Sequence, residues 1–269
     1  MGSHENDRAF IGTVPDVYEA LMVPLIFEQG AVDLAQEIAA LDPTDLLEIA
    51  AGTGVLTRAV VARCPDARIV ATDLNEPMLA VAAGTVPEGS NVVWKRADAQ
   101  QLELADDSFD VVACQFGVMF FPDRPQAFAE ARRVLCAGGT YAFNTWDSLA
   151  TNDFARVITE ALVAAAPQEP LLFMERTPHG LHDEELLRSE LAGVGFSSVT
   201  CEWVEGISRS TAANAALAYC QGTPMRGMLD AHSSLDPEMG TRLGAEALLA
   251  RYGPGPIEGR IRWLRVLAS

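Results

Sequence analysis

Three acidic residues stand at intervals that suit a nucleotide-binding sheet. Glu48 lies in the run Asp45-Leu46-Leu47-Glu48-Ile49-Ala50-Ala51-Gly52-Thr53-Gly54; Asp73 follows it by 25 residues, and Asp98 follows Asp73 by another 25. Equal spacing of this kind predicts successive β-α units of equal length. Open α/β sheets bind ligands outside the carboxyl ends of their strands. An acid at the end of the second strand can accept hydrogen bonds from a ribose diol. At the third strand end, Asp98 can accept one from an adenine amino group, and the next residue, Ala99, offers its backbone N–H to the ring. Gly52 and Gly54 permit a sharp turn and close approach of a ligand to the backbone. A helix starting at Val55 would present free N–H groups to whatever occupies that turn.

The elements that position these residues are legible in the apolar pattern. Leu46, Leu47 and Ile49 predict a buried parallel strand at 45–50, followed by a helix to about Arg63. Ala67 to Asp73 predicts a second strand. Leu74 opens a helix, with Asn75 as its cap and Pro77 in its first turn; Leu74 and Met78 would lie beside the nucleotide. Further strands are expected at 91–99, 111–116 and 141–146, with a helix from Pro125 to Leu135. Upstream, residues 1–13 are expected to be loose. Residues 14–40 read as helical, interrupted by Pro24, with Val17, Leu21, Leu25 and Phe27 on an apolar face. Downstream come a helix at 151–166, a loop at 171–180, a helix at 182–193 and a strand to about Val204. Residues 210–252 read as helical, broken at Gly222-Thr223-Pro224 and at 233–237, and 257–267 alternates like an antiparallel strand.

The chain has 269 residues and is 49% hydrophobic, enough for one large α/β domain with a cap. Its 37 acidic against 19 basic residues give a formal charge of −18. That disfavours nucleic-acid backbones and anionic membrane surfaces. The five scattered cysteines contain no C-x-x-C pair, so reduced thiols in a cytoplasmic protein are expected, with Cys114 and Cys136 beside apolar runs. The polar start does not read as a signal peptide, and no apolar run has the length of a membrane span.

Two nucleotide-cofactor patterns compete at the Gly turn. The dinucleotide fingerprint requires a third Gly at the position held by Thr57. An acid inside the strand followed by Ala50-Ala51-Gly52-Thr53-Gly54 instead resembles the class I S-adenosylmethionine (SAM)-dependent methyltransferases, most closely the small-molecule branch related to quinone biosynthesis (type 11). Later segments agree in order. Asp106-Asp107-Ser108-Phe109-Asp110 resembles the family's approach to strand four, with Glu103-Leu104-Ala105 replacing the usual apolar–Pro run. Arg133-Val134-Leu135-Cys136-Ala137-Gly138-Gly139 resembles its RVL-x-PGG turn, with Ala137 for Pro. Leu191 to Val199 resembles its L-x-x-x-GF-x-x-V passage.

The resemblance implies a Rossmann-like, doubly wound α/β fold: a seven-stranded sheet with the last strand antiparallel, plus a helical substrate cap. Residues 1–269 would form a single domain. Within it, 1–43 would be an N-terminal helical lid, 44–147 the cofactor-binding core, and 148–180 and 207–252 cap insertions. SAM would be the cofactor and S-adenosylhomocysteine the product. Glu48 would orient the methionyl end, while backbone near Ala50, Gly52 and Gln115 would hold its ammonium and carboxylate. Thr53, Gly54 and Phe116 complete the expected cofactor set.

The expected reaction is methyl transfer by in-line displacement to the O, C or N of a small, apolar or aromatic metabolite, with no nucleic-acid or membrane partner. Asp/Asn-Pro-Pro-Tyr is absent at 115–118, which argues against methylation of base or glutamine amino groups. Phe116, Met119, Phe120, Trp146, Phe173, Met174, Met225 and Met228 are candidates to line the acceptor pocket, half or more of them as plain core. No metal site is expected: the histidines form no ligand pattern with the cysteines, and Gln115 replaces the acid of catechol-type sites. Asp147 reads as an ordinary exposed loop acid. Tyr18, His179 and His182 are the only candidate catalytic side chains. Tyr18 is expected chiefly to pack, and the two histidines are expected to sit in an exposed polar loop with neither indispensable. A different class of function fits the same motifs: a SAM- or S-adenosylhomocysteine-binding protein that does not methylate.

Overall fold

The computed structural model describes residues 5–8 and 10–269. Seven strands form one sheet: β1 (Asp45–Ile49), β2 (Arg68–Asp73), β3 (Val92–Arg96), β4 (Phe109–Gln115), β5 (Leu135–Trp146), β6 (Val199–Thr211) and β7 (Pro256–Ala268). Their order is β3-β2-β1-β4-β5-β7-β6. β1 to β5 are parallel, and β7 runs antiparallel between β5 and β6. This is the expected seven-stranded Rossmann-like sheet with a reversed last strand. The order turns back between β1 and β4, and the crevice at such a switch point is where open α/β sheets take ligands.

Burial explains the central strand. Leu46, Leu47 and Ile49 are almost wholly excluded from solvent, as parallel strands covered on both faces require. The covering helices are α1 (Val14–Val17), which passes through a π-type segment, Tyr18–Phe27, into α2 (Glu28–Ala40); α3 (Val55–Val61); α4 (Glu76–Ala82); and α5 (Arg124–Val134). The expected break at Pro24 does not occur. The wider π register absorbs a residue that cannot donate, with the Glu28 N–H bonding to the Val23 carbonyl.

The remaining helices are α6 (Asp153–Ala165), α7 (Phe173–Arg176), α8 (Glu184–Gly193), α9 (Ala212–Gln221), α10 (Met225–Ala231) and α11 (Pro237–Tyr252). The expected loop at 171–180 therefore contains a helical turn. β6 also continues to Thr211, well past Val204, so the helical segment expected from 210 begins at Ala212, and the stretch from 207 expected as a cap insertion opens on the strand. Only the β7 stretch from Trp263 onward pairs with β5, whereas β6 and β7 pair along their whole length. Their far ends form a two-stranded arm that carries α9 to α11. The arm clasps the N-terminal helices: the Gln29 amide both donates to and accepts from the backbone of Ile207, and the Ser208 hydroxyl donates to the Leu25 carbonyl at 2.8 Å.

Within the stretch expected to be loose, one described residue is firmly held. Asp7 is fully buried, pairing with Arg176 and accepting from the Thr177 hydroxyl at 2.5 Å. The start, residues 1–4, lies outside the described residues. All five cysteines are free; Cys114 is buried as expected, but Cys136 is only half-buried. Among the described residues no helix is long and apolar enough to cross a membrane, and no cluster of potential metal ligands occurs.

Candidate cofactor and acceptor site

A cavity of about 1100 Å³, open mouth included, lies at the β1/β4 switch point. Its floor is built from the strand ends. Gly52 follows β1 with φ +57°, and a side chain there would sit 3.6 Å from the Met78 methyl and 3.9 Å from the Tyr18 hydroxyl. The turn thus leaves its backbone open to a ligand, with Tyr18 above it. Asp73 fixes the turn from β2: one carboxylate oxygen accepts from the Gly52 N–H at 2.9 Å and the other from the Asn75 N–H at 2.7 Å. Asn75 makes no side-chain cap to α4. Its amide turns back to Asp73 instead, at 3.3 Å. Burial raises the Asp73 pKa, against the pull of these donors. Asp98 also lines the cavity, half-buried, and accepts from the Gln100 N–H at 2.9 Å.

Two residues at the switch point hold the left-handed conformation without being glycine: Ala50 (φ 56°) after β1 and Phe116 (φ 48°) after β4. For a bulky residue this is a strained backbone, a feature that clusters at functional sites. Asn144 holds it, its side-chain oxygen accepting from the Phe116 N–H at 2.9 Å. The Phe116 ring stacks on Trp146 with centroids 3.8 Å apart. Gly30 makes room for that ring, since a Cβ there would stand 2.7 Å from it. Beside it, the Gln115 amide donates to the Phe27 carbonyl at 2.8 Å, while its oxygen is buried without a partner among the described residues.

Of the residues expected at the cofactor, Ala50, Gly52, Asp73, Leu74, Met78, Asp98, Ala99, Gln115 and Phe116 line this one cavity. Glu48, Thr53 and Gly54 do not. Glu48 lies behind the floor, accepting from the Thr57 hydroxyl at 2.5 Å, and burial pushes its carboxyl up to about 8.

The upper wall is aromatic and apolar. Phe116, Phe120, Trp146, Phe173 and Met174 line it as expected, but Met119, Met225 and Met228 do not reach it. Sequence reasoning did not place Phe10, Met22, Ile26, Tyr219, Thr223 or Pro224 there. The Gly222-Thr223-Pro224 helix break was the one available signal, because it puts a tight turn of the helical segment at the cavity. Tyr18 lines the cavity and stacks on Phe27 at 5.0 Å, and burial raises its phenol pKa. The histidines separate. His182 is exposed, as expected. His179 is buried and lines the cavity, because the turn following α7 folds inward. Asp147 is buried too, contrary to its expected place in an exposed loop. It pairs with Arg262 at 2.9 Å and accepts from the Ser148 N–H at 2.6 Å.

A parallel sheet with a reversed seventh strand, a Gly turn after β1 and acids beyond β2 and β3 together define the class I methyltransferase architecture. Residues 47–143 match the family described as a methyltransferase domain. Over 116 residues the chain is 40% identical to the demethylmenaquinone methyltransferase of Thermus thermophilus, covering 43% of this chain and 51% of that one. Over 158 residues it is 32% identical to the malonyl-[acyl-carrier protein] O-methyltransferase of Geobacter sulfurreducens, covering 59% and 57%. The chain thus spans little more than half the length of these curated relatives. Among solved structures it resembles phosphoethanolamine N-methyltransferase 2 of Haemonchus contortus, with a TM-score of 0.62 and 16% identity over 97% of this chain and 59% of that one. At that identity the likeness concerns the fold. Residues 47–143 thus match a methyltransferase domain, and the chain resembles the quinone-biosynthesis branch of the class I SAM-dependent methyltransferases.

Proposed function

We propose that this protein transfers the methyl group of SAM to a small aromatic or apolar metabolite. One observation carries the reading: a single cavity runs from the Gly52–Asp73–Asp98 floor to the Phe116–Trp146–Phe173 wall, so a cofactor and an apolar acceptor would share one space. The floor suits the cofactor. Asp98 supplies a carboxylate at the adenosine end, and the Asp73 oxygens, already bonded to backbone, retain acceptor capacity for a ribose diol. The unpartnered oxygen of Gln115 is a buried acceptor suited to a cofactor ammonium. Bound SAM supplies a methyl group on a good leaving group, so the protein's task is to hold the acceptor in line and exclude water. The helical run over 14–40 and the segments 148–180 and 212–252 act as lid and cap in this reading.

The relatives named for demethylmenaquinone and for malonyl-acyl carrier protein differ in acceptor. We therefore assign only the acceptor's general character, from this cavity. Calorimetric titration with S-adenosylhomocysteine, followed by transfer of labelled methyl from SAM to a panel of small aromatic acceptors, tests the proposal. Tight binding without transfer to any acceptor would favour a non-methylating SAM-binding protein, and micromolar binding of NADH would overturn the assignment.

A further inference from the structure

We infer that His179 is a general base and that the acceptor is a group that gives up a proton as it is methylated, a hydroxyl carried on an aromatic body being the case put to the test. The inference rests on the methyl-transfer reading above and assigns its acceptor.

His179 is built into place from both sides. Its backbone N–H donates to the Met174 carbonyl at 2.9 Å, which closes the turn after α7. Gly180 permits that turn, since a Cβ there would lie 2.1 Å from the Arg176 carbonyl oxygen. Two residues on, the Leu181 carbonyl accepts from the Thr145 hydroxyl on β5 at 3.0 Å. The preceding Thr177 is tied to buried Asp7.

The ring itself is oriented by one bond: Nδ1 lies 2.8 Å from the backbone carbonyl of Asp147. A carbonyl can only accept, so Nδ1 carries the proton and Nε2 is left with a lone pair in the neutral ring. The ring's hydrogen bond among the described residues is the one at Nδ1, and His179 lines the cavity, its ring 6.1 Å from that of Trp146. A buried imidazole with a fixed tautomer and a free nitrogen at an aromatic cavity is placed to take a proton. Burial, the largest influence, drives its pKa down to about 4. The Asp147 carboxylate, held by Arg262, opposes that shift, and His182 adds to it. The ring is therefore neutral throughout the physiological range; being a weak base, it takes the proton only as the acceptor becomes acidic on bonding to the methyl carbon.

The acceptor O–H bond breaks and its proton passes to Nε2; the oxygen lone pair forms the new bond to the methyl carbon as the carbon–sulfur bond breaks, its electrons staying on sulfur. The proton on Nε2 is then lost to water. An acceptor with no proton to lose would have no use for this nitrogen.

The test uses the full chain, SAM and a series of para-substituted phenols whose acidity is stepped by the substituent. His179→Asn keeps an N–H near the Asp147 carbonyl and removes the base, and His179→Gln serves if the first variant does not fold. We expect unchanged affinity for S-adenosylhomocysteine. We also expect a fall in kcat of about 100-fold or more on the least acidic phenol, within the range of general-base catalysis, and a loss that shrinks as the phenols become more acidic. A loss of one size across the series would make His179 a positioning residue and overturn the proposal, as would no loss. Nitrogen-15 spectra of the labelled imidazoles give a readout independent of turnover: the Nδ1–H tautomer is expected, and the Nε2–H tautomer would overturn the assignment. Wild-type protein that binds S-adenosylhomocysteine yet methylates none of the phenols refutes the acceptor class alone. Failure to bind S-adenosylhomocysteine refutes the methyl-transfer reading beneath it.

Discussion

Replacing Glu48 by Gln should make the protein more stable at neutral and alkaline pH, and the gain should grow with pH. Glu48 is 1% exposed, bonded to the Thr57 hydroxyl and close enough to Asp73 to feel its negative charge. Burial first, and Asp73 second among the raising influences, lift its carboxyl from the ordinary 4.5 to about 8. In the unfolded chain the proton leaves near the ordinary value; in the folded protein it is retained to a higher pH. A raised folded-state pKa means that the stability contribution is complete below the unfolded value and is lost as pH rises toward the folded one. Each pH unit in that window costs about 1.4 kcal/mol, so the folded state gives up about 3 kcal/mol by pH 6.5 relative to acid conditions. Gln has the same shape, accepts from Thr57 and does not titrate. Urea unfolding of both proteins at half-unit steps from pH 5 to 8.5 isolates the effect, because Asp73, His179 and every other titrating group remain in both. The stability difference should climb by about 1.4 kcal/mol per pH unit and level off near pH 8. A difference that stays flat across the range would show that Glu48 is ionised in the folded protein and refute the reasoning.

Asp73→Ala should weaken S-adenosylhomocysteine binding by roughly 1.5–3 kcal/mol, the range for hydrogen bonds involving charged groups, about tenfold or more by calorimetry; unchanged affinity in a folded variant removes Asp73 from the site. Gly30→Ala forces a methyl group against the Phe116 ring and should destabilise by about 1–3 kcal/mol, read as a lower urea midpoint. Amides over residues 14–40 should exchange more slowly with S-adenosylhomocysteine bound, because Tyr18 stands over the Gly52 turn; equal protection in both states argues against a lid. His182→Ala, at an exposed position, should leave turnover within a few-fold of wild type, and a 100-fold loss would relocate the acceptor.

The sheet was legible because its signals are local. Short apolar runs ending in Glu48-x-Ala-x-Gly, Asp73 and Asp98 define strands, turns and ligand-facing ends within a few residues each. Segments whose fate depends on distant partners were not legible. Asp147 reads as a loop acid until Arg262, 115 residues away, is folded against it. Asp7 belongs to a polar N-terminal stretch, yet it is buried against Arg176 and Thr177, about 170 residues on. His179 sits in a run with little periodicity, and only the inward turn after α7, permitted by Gly180, brings it to the cavity. Pro24 misled for another reason: propensity rules treat proline as an interruption, whereas a π register accommodates it without ending the helix.

The same division bears on specificity. The family match ends at residue 143, and within it lie the Gly turn and the acids that form the floor. The wall residues Trp146, Phe173, Met174, His179, Tyr219 and Thr223 all lie beyond it, while Phe10, Tyr18 and Phe27 lie before it. Floor and wall meet at Phe116, whose strained backbone is held by Asn144 from β5 and whose ring stacks on Trp146. The floor is thus built within the matched stretch, while much of the wall comes from outside it, with Phe116 and Phe120 as wall residues inside. The arm of β6 and β7 makes this possible. By extending past β5, it brings Tyr219 of α9 and the Thr223-Pro224 turn to the cavity and anchors the N-terminal helices through Gln29 and Ser208. Among the described residues of this wall, His179 is the histidine that lines the cavity.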